Sequence, residues 1–450
     1  MPVSPARAAA FDILLRVERE SSYASELLHS TAQERLSTVD QSLTTELVMG
    51  VLRWRSRLDD EIATASSQPL AKLDSEILIA LRLALYQFRW LDRVPQRAAL
   101  NESVELVKRA RKRSAAPFVN AVLRKLSTAK PPTLKSDDDQ PSTAETLCQA
   151  FAHPLWLVEP WVHAYGLAST RAICQHNQSI PTTAIRLRTQ LAETQLNQEG
   201  ITLTPGALLA SARRVATGDV TKTQAFRTGQ IVIQDEASQL VAALVGNGSR
   251  ILDCCAAPGG KTQAIADHNP NATITAVELH PHRARLLQKR LQMHPSQSAQ
   301  QIQVVIADAQ QLPTSLAFDR VLTDVPCSGT GTLSRNPEIK WRLTPGDLAQ
   351  LHQRQHAILR SALAQVAPGG RLVYSTCSLE KEENEDVVEQ ALAENDSFRL
   401  LDCRLELDRL QAVEELTWPD PPSLTSGPYL RTIPGVHPCD GFFAAILEKI

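Results

Sequence analysis

The chain has 450 residues, too many for one hydrophobic core, so two or three domains are expected. Apolar residues make up 43% and aromatics 4%, a balance that excludes a disordered or fibrous chain, while a formal net charge of −2 neither demands nor excludes a polyanionic partner. No apolar run reaches the roughly 18 residues a bilayer-crossing helix needs. The opening "MPVSPARAAAFDILLRVERE" has amphipathic spacing instead of an apolar export signal, so a cytoplasmic protein without a membrane partner is expected.

Residues 1–130 place apolar side chains three and four apart in "RAAAFDILLRVE", "LTTELVMGVLRW", "DSEILIALRLALYQFRWL", "ALNESVELVKRA" and "PFVNAVLRKL", which predicts an all-helical domain. The stretch 107–125 holds Lys108, Arg109, Arg111, Lys112, Arg113, Arg124 and Lys125 and no acid. It reads equally as a solvated helix face and as a patch that tracks phosphates. Residues 131–146, "PPTLKSDDDQPSTAET", break the pattern and are expected to be a linker. A mixed segment, 147–240, follows with "HPLWLVEPWVHAYG" and most of "IQDEASQLVAALV" (233–245) inside it.

A third region, 241–450, alternates short β-branched runs with helical stretches. The runs are "SRILDCC", "ATITAVEL", "IQVVIAD", "FDRVLTDVP", "GGRLVYSTCS" and "GFFAAILEK", with "HRARLLQKRLQ" and "DLAQLHQRQHAILRSALAQV" between them. Such alternation predicts an α/β domain with a mostly parallel, doubly wound sheet, whose ligands sit beyond the C-terminal strand ends. Eight cysteines (Cys148, Cys174, Cys254, Cys255, Cys327, Cys377, Cys403 and Cys439) are scattered with no C-x-x-C pair, so neither a disulfide framework nor a metal site is expected.

Four strand ends finish in an acid: Asp253, Glu278, Asp308 and Asp324. After Asp253 comes "CCAAPGGKT", a small-residue loop entering a predicted helix, where backbone N–H groups can approach a ligand. A phosphate loop would need G-x-x-x-x-G-K-[ST], and Cys255 stands where its first glycine belongs. An adenosine ligand without phosphates fits better. Cys255, Ala256, Ala257, Pro258, Gly259, Gly260 and Lys261 would hold a methionine carboxylate, Glu278 the ribose hydroxyls, and Asp308 would lie beside the adenine. That is the layout of an S-adenosylmethionine site.

"DCCAAPGGKT", "DVPCSGTG", "NPEIKW" and "YSTCS", in this order, resemble the RNA (cytosine-5)-methyltransferase family, most closely its bacterial ribosomal RNA branch. The likeness runs from about residue 150 to the terminal "DGFFAAILEK", and residues 1–130 resemble the antitermination factor NusB. The resemblance implies a Rossmann-like S-adenosylmethionine-dependent methyltransferase sheet of seven strands, one antiparallel, behind a NusB-like helical domain. It also implies a monomer that modifies a single-stranded or flipped cytidine of ribosomal RNA, with 147–240 as an RNA-binding, connecting segment.

Carbon 5 of cytosine is too weak a nucleophile to take a methyl group until a thiolate adds to carbon 6. The resemblance assigns that attack to Cys377 and release of the product to Cys327. Asp324, counted with both the catalytic and the cofactor residues, is expected on the cytosine N3 edge. Lys261 either holds the loop or approaches the ring. Arg335 and Lys340 are expected to face phosphate or solvent, and Cys254 to serve packing.

Overall fold

The computed structural model describes residues 3–20, 22–30, 35–130, 142–293, 301–313 and 317–450. The chain forms two compact units, Met1–Ile180 with Leu333–Leu343, and Pro181–Thr332 with Thr344–Ile450. Most of the expected linker, 131–141, lies outside the described residues. The segment read as 147–240 is divided: its helices Ala144–Phe151 and Leu155–Gln178 belong to the first unit and the remainder to the second.

The first unit is helical, and each helix follows an apolar stripe seen in the sequence. Helices Pro5–Glu20, Thr38–Arg53, Ser75–Trp90, Gln96–Arg109 and Ala116–Thr128 match the five predicted runs. A further helix, Arg55–Ala65, turns Leu58, Ile62 and Ala65 inward. Ser75–Trp90 is the central element: every residue from Ile79 to Gln87 is buried, because neighbours cover it on all sides. Buried charges there are paired, Arg89 with Glu61 at 2.9 Å and Arg7 with Glu102 at 3.0 Å. In the basic stretch, Lys108, Arg109 and Lys112 pair with Glu105, Asp12 and Asp74. Part of that charge is therefore balanced by acids of the same unit.

The second unit opens with a small antiparallel sheet of strands β1 (Ala184–Leu187), β2 (Thr202–Pro205), β3 (Ala212–Thr217) and β4 (Ile231–Ile233), in the order β2-β3-β1-β4. Its apolar face, with Ile185 and Ile231, packs on Leu196 of helix Gln190–Gln198 and on Ala225.

The large sheet comprises β5 (Arg250–Asp253), β6 (Thr273–Glu278), β7 (Ile302–Ile306), β8 (Phe318–Asp324), β9 (Val366–Thr376), β10 (Phe398–Leu401), β11 (Thr425–Ser426), β12 (Tyr429–Thr432) and β13 (Phe442–Lys449). Its order is β11-β12-β13-β9-β8-β5-β6-β7, with β10 also on β13. Strands β5 to β9 run parallel, and β13 lies antiparallel to β9. The outer edge of β13 is shared: Phe442–Ala444 pairs with β12 and Ile446–Lys449 with β10. Nine strands thus replace the seven expected, because the β11–β12 hairpin covers the half of β13 that the four-residue β10 leaves open. Helices Glu236–Leu244, Gly260–His268 and Cys403–Ala412 pack on one face, and Pro345–Leu363 and Glu385–Ala393 on the other. Among the described residues no helix is long and apolar enough to cross a membrane.

Candidate active site

Strand β5 delivers Asp253 to the rim of the sheet, and the loop that follows doubles back so that Ala256 N–H donates to Val277 O of β6. Gly259 has φ 105°, and a Cβ there would stand 2.6 Å from Leu287 Cδ1. The positive φ calls for glycine, and the close Leu287 methyl adds to the preference. Asp253 is buried and its Oδ2 accepts from Thr262 Oγ1 at 2.7 Å. Burial raises its carboxyl to about 6, against the bond from Thr262. Among the described residues Oδ1 of Asp253 makes no side-chain hydrogen bond and Oε1 of the buried Gln234 makes none; the Gln234 amide carbon lies 3.6 Å from where a Gly260 Cβ would be. Both are acceptors near the loop, where an α-ammonium group needs them.

Glu278 is buried and accepts from His280 N–H at 2.9 Å, while Asp308 caps a turn through Gln310 N–H at 2.9 Å. Each acid therefore shapes its own turn as well as standing at its strand end. Four acids on one rim repel a polyphosphate, which removes the phosphate-loop reading. A cationic sulfonium carrying ribose hydroxyls and an ammonium suits the same rim, so these residues fit S-adenosylmethionine.

The two thiols meet. Strands β8 and β9 are parallel neighbours with Asp324 opposite Ser375, so the loops leaving them run side by side. Cys327 Sγ and Cys377 Sγ are 3.3 Å apart, a hydrogen-bonding separation well beyond the roughly 2.05 Å of a disulfide. Both remain partly exposed. The Cys327 thiol is pushed well up by its hydrogen bond with Cys377, by burial, and by the charges of Cys377, Glu383 and Asp324. Gly331 N–H donates to Cys377 O at 2.9 Å, and Gly441 N–H to Gly331 O at 2.8 Å, which clamps the Cys327 loop between two backbones.

Lys261 Nζ lies 2.8 Å from Asp324 Oδ2 and 4.8 Å from the Phe442 ring centroid, while Ser375 Oγ donates to Asp324 Oδ1 at 2.9 Å. Cys254 is packed in the core as expected, and burial pushes the Cys255 thiol up.

One expectation is overturned. Lys340 faces neither phosphate nor solvent. It is 1% exposed within the helical unit, where Nζ donates to Arg53 O at 2.9 Å. Trp341 Nε1 donates to Leu52 O at 2.6 Å. These carbonyls end helix Thr38–Arg53 and have no partner within it, so the two side chains, together with Gln178 Nε2 on Arg53 O at 3.0 Å, supply donors the helix lacks. Burial holds the Lys340 amine well below the usual lysine range. Arg335, in the same segment, is half-buried.

Sequence reasoning passed over Glu383. It is 0% exposed, and its carboxylate receives Ser328 N–H at 2.8 Å, Ser378 Oγ at 2.5 Å, Gln355 Nε2 at 2.8 Å and the Ser328 hydroxyl. The run "EKEENED" reads as solvated charge, and nothing in its composition signals that Glu380, Glu383 and Asn384 are buried.

The family described as 16S rRNA methyltransferase RsmB/F matches residues 241–448, and the NusB family matches 4–128. The probable ribosomal RNA small subunit methyltransferase B of Bacillus subtilis is 32% identical over 466 aligned residues, covering 100% of both chains. The protein so described from Synechocystis is 34% identical, covering 99% of each. The crystal structure of PH0851 has the same fold, with a TM-score of 0.81 over 100% of both chains at 23% identity. The chain belongs to the RsmB/F family of 16S rRNA methyltransferases, with a NusB-family helical domain ahead of an S-adenosylmethionine-dependent catalytic domain.

Proposed function

We propose that the protein methylates carbon 5 of a cytidine in small-subunit ribosomal RNA, with Cys377 as nucleophile and Cys327 as its partner in product release. The observation that carries this is the 3.3 Å approach of two thiols at the ends of adjacent parallel strands, beside the cofactor loop. Family membership supports the RNA. A stacked base offers neither face of its ring to two reagents, so the target cytidine must be unpaired or flipped out.

When bound, S-adenosylmethionine supplies the electrophilic methyl carbon. The Cys377 thiolate bonds to carbon 6, and the ring's C5–C6 π pair becomes available at carbon 5. Asp324, held by Lys261 and Ser375, accepts from the 4-amino group on the N3 edge and orients the ring for addition. After methylation Cys327 gives its proton to the departing Cys377 sulfur and takes up the carbon 5 proton, which restores the aromatic ring. A thiol pushed upward holds its proton until that step.

Removal of the releasing thiol tests the assignment. Cys327→Ala should accumulate an RNA adduct through Cys377 that survives denaturing electrophoresis, and Cys377→Ser should form none and leave RNA unmethylated. The reverse pattern would assign the attack to the Pro-Cys loop, as in DNA cytosine methyltransferases, and overturn the proposal. Bisulfite mapping of ribosomal RNA from cells lacking the protein should show one unprotected cytidine.

A further inference from the structure

Glu383 stands on the short turn Lys381–Glu383 beyond β9, and it touches the residue that follows each cysteine. Ser328, next to Cys327, donates its N–H and its hydroxyl to the two carboxylate oxygens; Ser378, next to Cys377, donates its hydroxyl to Oε2. The two serine hydroxyls are 3.0 Å apart, a separation that mirrors the thiol pair one residue earlier on each loop. Gln355 ties the carboxylate to Pro326 O, through bonds of 2.8 and 3.0 Å from one amide nitrogen. All four donors to the carboxylate are uncharged, and among the described residues no cation lies within ion-pair distance of it. A buried carboxylate without a counter-ion is costly to the fold.

Building on the proposed two-thiol chemistry, we infer that Glu383 is a positioning residue for both cysteines: its carboxylate locks the two loops at one separation and places a fixed negative charge beside Cys327. The charge disfavours a second anion at Cys327, in keeping with the upward push on that thiol, so Cys327 remains the proton donor. The other titratable groups facing the pair are Asp324 with Lys261 from the β8 side, Tyr374 on β9 and Cys255 on the cofactor loop. Of these only Tyr374 touches Glu383, and it donates to the backbone carbonyl, at 2.6 Å.

Glu383→Gln keeps the shape and removes the charge. With full-length protein and no RNA, iodoacetamide labelling of each cysteine is followed against pH by mass spectrometry. Cys327 should become reactive at a lower pH than in the wild type. Methyl transfer should lose about 100-fold in kcat, the scale of a misplaced reacting group, with KM for RNA unchanged. An unchanged labelling profile with wild-type kcat overturns the inference, and so does equal labelling of both thiols at every pH, the mark of a merely loosened fold. If Glu383→Gln does not fold, Ser328→Ala and Ser378→Ala replace it. Each removes one hydroxyl from Oε2, so the double variant should lose little more kcat than the worse single one; fully additive losses overturn the inference. Labelling needs no substrate, so a wild-type protein that forms no RNA adduct would sink the proposed function and leave the positioning result to be judged alone.

Discussion

Gly331 is the most economical place to disturb the thiol pair without touching either thiol. It sits on the short turn Thr330–Thr332, and an added Cβ would lie 2.2 Å from Gly441 O, 2.8 Å from Gly441 C and 2.9 Å from Cys377 O. All three are backbone atoms, so no side chain can swing away. Ordinary contact begins at 3.4 Å, and the shortest approach must open by 3.4 − 2.2 = 1.2 Å. That displacement falls on the loop bearing Cys327 and on the segment bearing Cys377, which Gly331 now joins by a bond of 2.9 Å. An error of about 1 Å in reacting geometry costs about 100-fold in rate, or about 2.7 kcal/mol of transition-state stabilisation. Overpacking should take a further 1–3 kcal/mol, roughly, from folding stability. The assay is single-turnover transfer of labelled methyl to RNA beside calorimetric titration of S-adenosylmethionine, whose loop lies on different strands. Gly331→Ala should retain cofactor affinity and lose turnover. A folded variant with wild-type turnover would refute the claim that this backbone crossing sets the thiol separation.

Two further outcomes are expected. Lys261→Met leaves Asp324 with the Ser375 hydroxyl and, among the described residues, no cation beside it and should lower single-turnover methyl transfer about 100-fold at saturating RNA; an unchanged rate would remove Asp324 and Lys261 from the chemistry. Lys340 has a depressed folded pKa, so below the unfolded value of about 10.4 the unfolded chain binds more protons and stability must rise with pH. The Tm of the wild type relative to Lys340→Met should accordingly climb as pH approaches that value, and a difference that ignores pH would show that the buried amine keeps its charge.

Periodicity served the long elements well. Helix Ser75–Trp90 and strand β13 carry enough apolar residues in sequence to announce themselves, and the acid-terminated strands pointed to the rim where the site lies. Short elements escaped. Strand β3, "ARRVAT", is six residues long and half polar, and strand β10, "FRLL", has only four residues, so no alternation could build up before they ended. The thiols were legible as motifs, but their meeting depends on β8 and β9 being neighbours in register, a long-range pairing that no local pattern encodes. Lys340 and Glu383 failed for a common reason. A charged residue in a polar run reads as solvated, and whether it is buried depends on partners outside that run: a helix end at Arg53 in one case, the loop residues Ser328 and Ser378 in the other.

The chain leaves the catalytic unit at Thr332 and returns to it at Thr344, lending Leu333–Leu343 to the helical unit. Three peptide links therefore join the two units rather than one, and no single cut separates them. A fragment ending at Ile180 would carry the last carbonyls of helix Thr38–Arg53 without Lys340 and Trp341, and a fragment starting at Pro181 would bear an eleven-residue strip with nowhere to fold. The helical domain of this chain is thus not a bead on a string: separating it from the catalytic domain requires cutting on both sides of Leu333–Leu343 as well as at Ile180.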